Sequence, residues 1–259
     1  MPVALTGRSA VRRERNALLT ARSTARYPRP PVSPPKSTRL PHDERRQQLV
    51  LLGLELLGHT PHDQVSIGEI ARAAGISKGL LYHYFPTKSD FVVAVLRASR
   101  DELERRMAPD LSVQLSAGGR LDASIDAFLA YVEDHATGFL AIARARAGDD
   151  EAIRAVLQEG RRRRVSRMVD FAAALAGAER ADVESPAMDA AIEGWLSFCE
   201  GVVVHWLAGR RDLPRTDVLH LLRQNLLAVY ESLAGIDSRP AITRLAEASS
   251  RLAAPTPVA

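Results

Sequence analysis

Residues 66–85 read SIGEIARAAGISKGLLYHYF. Ser66 and Glu69 have the spacing of a capping box, which predicts a helix starting there. Ile67, Ile70, Ala71 and Ala74 then recur at helical spacing. Gly75 follows, the residue best able to take positive φ where a helix stops and turns. Ser77 can cap a second helix, from Lys78 to about Tyr84. Pro86 ends it, because proline lacks a backbone donor and biases Phe85 away from the helical region. Thr87 caps the next helix, with Asp90 at its third position. Two short helices joined by a glycine turn fit a helix-turn-helix, whose second helix enters the DNA major groove.

Ser66, Ile70, Ala71, Ala74, Gly75, Ile76, Ser77, Gly79, Leu81, Tyr82, Tyr84, Phe85 and Lys88 stand in one register. In that register they resemble the signature of the tetracycline-repressor-like (TetR) family of bacterial regulators. The resemblance covers roughly residues 43–99, and Leu80 departs from the small or polar residue many members carry. It implies an all-α protein, with an N-terminal three-helix helix-turn-helix domain followed by a helical ligand-binding and dimerisation domain. It also implies that Lys88 binds phosphate.

Sequence readout needs side chains at base edges and donors on phosphates. The candidate DNA-binding residues are Ser66, Ser77, Lys78, Gly79, Leu80, Tyr82, His83, Tyr84 and Lys88. Gly79 lets the backbone approach DNA, Tyr82 and Tyr84 can donate to phosphates, and Leu80 can touch a thymine methyl. His83 can read a base edge or merely sit at the surface. The helix carries no Arg for bidentate guanine contacts, and Ile76, Leu81 and Phe85 are expected in the core.

The charge is uneven. Residues 1–40 hold nine basic residues against Glu14 alone, while the other 219 hold 26 basic and 30 acidic. Six prolines between Pro28 and Pro41 forbid a continuous helix there, so 1–41 is expected to be a disordered basic arm. It either contacts DNA phosphates or a minor groove, or is a plain extension. The single Cys199 excludes an internal disulfide and suits a reducing cytoplasm. No apolar run approaches the ~20 residues of a membrane span.

Residues 42–102 are expected to form the DNA-binding domain. Its first helix, Asp43 to His59, is striped by Leu49, Leu52 and Leu56, and Gly53 within it suggests a close helix crossing. The helix from Thr87 to about Met107 leads into a second domain, 103–235, with Ser116 to Gly119 read as a loop. Further helices are predicted from Leu121 to His135, Thr137 to Ala147, Glu151 to about Leu175, Ala187 to Leu207 and Asp217 to Leu233. Residues 236–259 are expected to be a flexible tail. Arg161 to Arg164 either touch phosphate or form a solvated face.

Catalytic, nucleotide-loop and metalloprotease motifs are missing, so neither an enzyme nor a cofactor is expected. His59, His62 and Asp63 read as a surface turn rather than a metal site. An apolar pocket is expected around Phe128, Tyr131, His135, Phe139, Met168, Phe171 and Phe198. The resemblance places a dimer interface on the last two long helices, with Trp195, Trp206, Leu222, Leu226 and Val229 as candidates unless they complete the protomer core. The expected function is that of a cytoplasmic, homodimeric DNA-binding regulator, a repressor answering to a small and largely apolar ligand. An architectural DNA-binding module with a closed core is the rival, and a cavity in the second domain discriminates between them.

Overall fold

The structure, a computed structural model, describes residues 41–60, 64–108, 115–145, 150–208 and 212–253. The basic arm, apart from Pro41, and the turn at 61–63 lie outside the described residues. From His42 onward the chain forms one unit. Its helices are α1 (His42–His59), α2 (Ile67–Ala73), α3 (Lys78–Tyr84), α4 (Lys88–Met107), α5 (Ala117–Asp134) and α6 (Ala136–Ala145). There follow α7 (Glu151–Ala176), α8 (Arg180–Val183), α9 (Pro186–Leu207), α10 (Arg215–Leu233) and α11 (Pro240–Ala253).

Two cores form. Leu49, Val50, Val65, Ile70, Leu81, Phe85, Phe91 and Val95 bury one another beneath α2 and α3. The larger core gathers α5, α7, α9, α10 and α11 around residues such as Leu129, Val169, Ile192, Val203 and Tyr230. Helix α4 serves both, with Phe91 and Val95 in the first and Leu103 packed against the second. The division expected at 102/103 therefore falls inside one continuous helix.

Gly53 has the role its sequence suggested. A Cβ there would meet Val95 Cγ2 at 2.4 Å and Phe91 Cζ at 2.6 Å, so α1 and α4 cross where glycine leaves room. Gly138 does the same between α6 and α1: its Cβ would lie 2.5 Å from the Leu57 carbonyl oxygen. The loop expected at 116–119 is instead the first turn of α5. Ser116 Oγ accepts from Gly119 N at 3.1 Å, a side-chain cap that offsets the poor helix propensity of two glycines.

The tail is a second correction, because residues 240–253 form a helix. Pro240 suits a first helical position, and Ala241, Ile242, Leu245 and Ala248 bury one face against α10 and α7. Guanidinium groups tie the segment down. Arg239 donates to the carbonyls of Val183 and Glu184, Arg244 to that of Ala176, and Arg223 of α10 to that of Leu252 at 2.6 Å. These are helix-end carbonyls that otherwise lack partners. A segment rich in alanine and serine looks solvated, yet its few large apolar residues share one stripe. Leu245 is fully buried, so Leu245→Ala should cost about 2–5 kcal/mol in urea unfolding. A free tail would give no measurable change.

Candidate nucleic-acid interface and apolar cavity

The helix-turn-helix is held by local hydrogen bonds. Ser66 Oγ accepts from Glu69 N at 3.2 Å, and Glu69 Oε2 accepts from Ser66 N at 2.7 Å, completing the capping box. The Ser66 backbone N–H holds the Glu69 carboxyl below the usual range, so this cap keeps its strength until the pH falls through that lowered value. At the turn Gly75 has φ +64°, and the amides of Gly75 and Ile76 return to the carbonyls of Arg72 and Ala71. Ser77 Oγ accepts from Leu80 N at 3.1 Å and opens α3. Thr87 and Asp90 form a second capping box at the start of α4.

Helix α3 buries Leu81 and, at its end, Phe85. Ser77, Lys78, Gly79, Leu80, Tyr82 and His83 are exposed, as is Ser66 at the start of α2. Tyr82 is 48% exposed and Leu80 38%, so both side chains stand at the surface of α3. Lys78 crosses the first turn of α2, where a Cβ on Gly68 would meet its Cε at 2.7 Å. Tyr84 is half-buried and stacks on His42 at 4.7 Å, with His83 5.7 Å from the same imidazole. Lys88 is half-buried on the first turn of α4. His42 joins this face without a sequence signal, because it precedes the motif by more than twenty residues.

A cavity of about 70 Å³ lies where the two cores meet. Leu54, Leu57 and Gly58 of α1 and Val92, Val95, Leu96 and Ser99 of α4 form one side; α5, α6 and α7 supply Tyr131, His135, Phe139, Ile142, Ile153 and Leu157. Three of the seven expected pocket residues are therefore present. Phe128 is edge-on to Phe139 at 6.3 Å without lining the cavity, and Met168 and Phe171 pack on the larger core instead. Phe198 lines a separate surface groove. The α1 and α4 contributions went unrecognised because those side chains read as core of the DNA-binding half.

The polar wall is Ser99, Tyr131 and His135. Tyr131 Oη shares a 2.5 Å hydrogen bond with Ser99 Oγ and donates to the Ser99 carbonyl at 3.2 Å. Arg106 pairs with Glu102 at 2.6 Å and Asp134 at 2.7 Å, and lies over the Tyr131 ring. Helix α4 is further joined to α7 by Ser89 with Asp150, Arg100 with Glu159, and Glu104 with Arg167. The basic run on α7 is turned to carboxylates: Arg161 engages Glu193 and Glu200 of α9, and Arg163 engages Glu159.

The candidate interface residues are corrected by their burial. Trp195, Trp206, Leu222 and Leu226 are all at most 8% exposed within one protomer. Trp195 Nε1 donates to the Leu222 carbonyl and Trp206 Nε1 to that of Leu213. The apolar excess of α9 and α10 is absorbed by packing on α5, α7 and α11, and of the five candidates only Val229 stays half-buried. Cys199 is buried, which pushes its thiol up to about 12. Among the described residues no helix is long and apolar enough to cross a membrane, and no group of three metal-ligating side chains forms.

Residues 50–95 match the family described as "Bacterial regulatory proteins, tetR family", and residues 117–229 match "Tetracyclin repressor-like, C-terminal domain". The chain belongs to the TetR family. TetR-family transcriptional regulators are DNA-binding regulators, a non-enzymatic family. This TetR-family chain is 29% identical to a tetR-family transcriptional regulator from Streptomyces coelicolor; the superposition covers 82% of it and 90% of that chain, with a TM-score of 0.67. It is 33% identical over 104 residues to the HTH-type transcriptional activator FasR of Mycolicibacterium smegmatis, 40% of this chain and 48% of that protein. It is also 31% identical over 85 residues to the HTH-type transcriptional regulator SrpR of Pseudomonas putida, 33% of this chain and 40% of that protein. The chain thus spans about half or less of these curated relatives.

Burial raises the Tyr131 and Tyr230 phenols above their ordinary value. Neutral phenols are favoured in the fold, so their contribution to stability is complete below the unfolded pKa, ~10, and is lost as pH rises through the higher folded value. In an alkaline titration followed by phenolate absorbance, Tyr131→Phe should remove a step that lies above the ordinary tyrosine value. A difference between wild-type and variant curves centred at or below that value would contradict this burial.

Proposed function

We propose that the protein is a ligand-responsive repressor that binds operator DNA as a homodimer, with Ser77 to His83 in the major groove. Tyr82, Lys78 and Lys88 contact phosphates and Leu80 meets a thymine methyl. The observation that carries the ligand response is the cavity walled jointly by the DNA-binding helices α1 and α4 and by α5, α6 and α7. It favours this reading over an architectural module with a closed core. At about 70 Å³ it is well below the ~300–1,000 Å³ of ordinary ligand sites, so occupancy requires the walls to part. Gly138 against the Leu57 carbonyl leaves no slack between α6 and α1, so a shift of α6 as the cavity opens carries α1 with it. Operator binding needs the two recognition helices about one helical turn apart, ~34–36 Å. A ligand bound preferentially by the parted form shifts the population away from that spacing.

FasR is named an activator, which favours activation as a second reading. A footprint followed by transcription in vitro separates the two: added protein should reduce transcription from the bound promoter, and an increase establishes the activator. In the same assay Tyr82→Phe should weaken operator binding by about 1 kcal/mol without changing the melting temperature. Undiminished binding at moderate salt removes Tyr82 from the interface.

For the dimer, the supporting surface is a groove on α9 and α10 lined by Phe198, Val202, His205, Leu213 and Leu221. Leu213 and Leu221 are 40% and 42% exposed, and Gly194 and Gly201 on α9 face open space, where a second helix can approach closely. Leu221→Arg should give a folded monomer in sedimentation. A folded dimer at micromolar concentration places the interface elsewhere.

A further inference from the structure

We propose that the cavity selects an uncharged molecule bearing one hydrogen-bonding group, and that this group acts by competing with Ser99 for the Tyr131 hydroxyl. The inference rests on the ligand-responsive reading above and names the ligand chemistry of that same site. Most of the wall is aliphatic or aromatic: Leu54, Val92, Leu96, Phe139 and Leu157 among others. Such a wall retains an apolar body and repays its transfer from water. Among the described lining residues the polar side chains are those of Ser99, Tyr131 and His135, so one end of the ligand can be hydrogen-bonded by side chains and the other cannot.

Charge is selected against. The ions beside this wall, Glu102, Arg106 and Asp134, are paired with one another. A carboxylate or ammonium entering the cavity gives up water without gaining a counterion, which is costly in an apolar site. An alcohol or carbonyl gives up far less. His135 adds a polar atom at the same end: its Nε2 is buried without a hydrogen-bond partner among the described residues, so it can meet the ligand's hydrogen-bonding group.

Tyr131 is the point where recognition meets movement. Its hydroxyl joins α5 to α4 through the Oγ and the carbonyl of one residue, Ser99. A ligand hydroxyl that takes over this phenol removes a link between the DNA-binding half and the second core. Tyr131 is here a specificity-determining residue for the ligand, and Ser99 its internal competitor.

Pentanol, pentanoate and pentylamine share a chain and differ in the head, and serve as probes with the full-length protein. Binding is followed by ligand-observed NMR, and folding of each variant is checked by circular dichroism. Pentanol should bind about tenfold or more tighter than either ion, the worth of one hydrogen bond without an unpaired charge. Tyr131→Phe should weaken pentanol binding severalfold and so narrow that preference, leaving the binding of the two ions unchanged. Ser99→Ala should tighten pentanol binding severalfold, because the competitor is gone; a merely structural role for the pair predicts weaker binding in both variants. Tightest binding of pentanoate or pentylamine, no binding of any probe, or an unaltered preference in Tyr131→Phe would each overturn the proposal. DNA affinity measured in parallel keeps the two readings apart: selective pentanol binding with unchanged DNA affinity rejects the effector role but leaves the ligand chemistry standing.

Discussion

The close approach of α1 to α4 at Gly53 is the constraint on which the other features depend. Phe91 and Val95 occupy space that any side chain at position 53 would fill. That crossing sets the first core, and Leu81 and Phe85 then anchor α3 upon it. The exposed face of the recognition helix is thus aimed by an apolar contact on the far side of the domain. Gly138 repeats the device between α1 and α6, where backbone meets backbone. Helix α1 is held between α4 and α6 with little freedom to move independently of either.

Rigidity around α2 and α3 has a different origin. Ser66, Ser77 and Thr87 cap three successive helices, the first two of which, at 7 residues each, are too short to be stable alone. The caps and the Gly75 turn supply local order, while burial of one or two side chains per helix supplies the tertiary hold. Further away, α4 is joined to α7 by hydrogen bonds and ion pairs along its length. Those pairs are partly exposed and each is worth little, but together they set how the two helices lie side by side. The cavity lies between these elements, walled in part by the α1 and α4 residues that also frame the core beneath α3.

Much of this was legible in the chain. Capping residues at 66, 77 and 87, the glycine at 75 and the proline at 86 are local signals, and local hydrogen bonds realise them. Helices α5, α6, α7, α9 and α10 followed from periodic apolar residues, with boundaries shifted by a few positions, whereas the four-residue α8 carries no such period. The errors have a common source. The α11 helix was missed because two fully buried side chains, Ile242 and Leu245, are diluted among alanines and serines. Trp195, Trp206, Leu222 and Leu226 were candidates for a subunit interface because one helix stripe could not hide them; three or more surrounding helices do.

The sequence by itself determined the helix-turn-helix, the identity of its exposed face and the family, since these depend on residues within about twenty positions of one another. Only the tertiary structure decided which apolar residues face a partner helix, a cavity or the surface. Leu54, Val92 and Tyr131 are each ordinary stripe residues in sequence, yet three different helices bring them to one cavity. The reason is physical: periodicity specifies which side of a helix is apolar, whereas what that side meets depends on crossings fixed by close contacts such as those at Gly53 and Gly138.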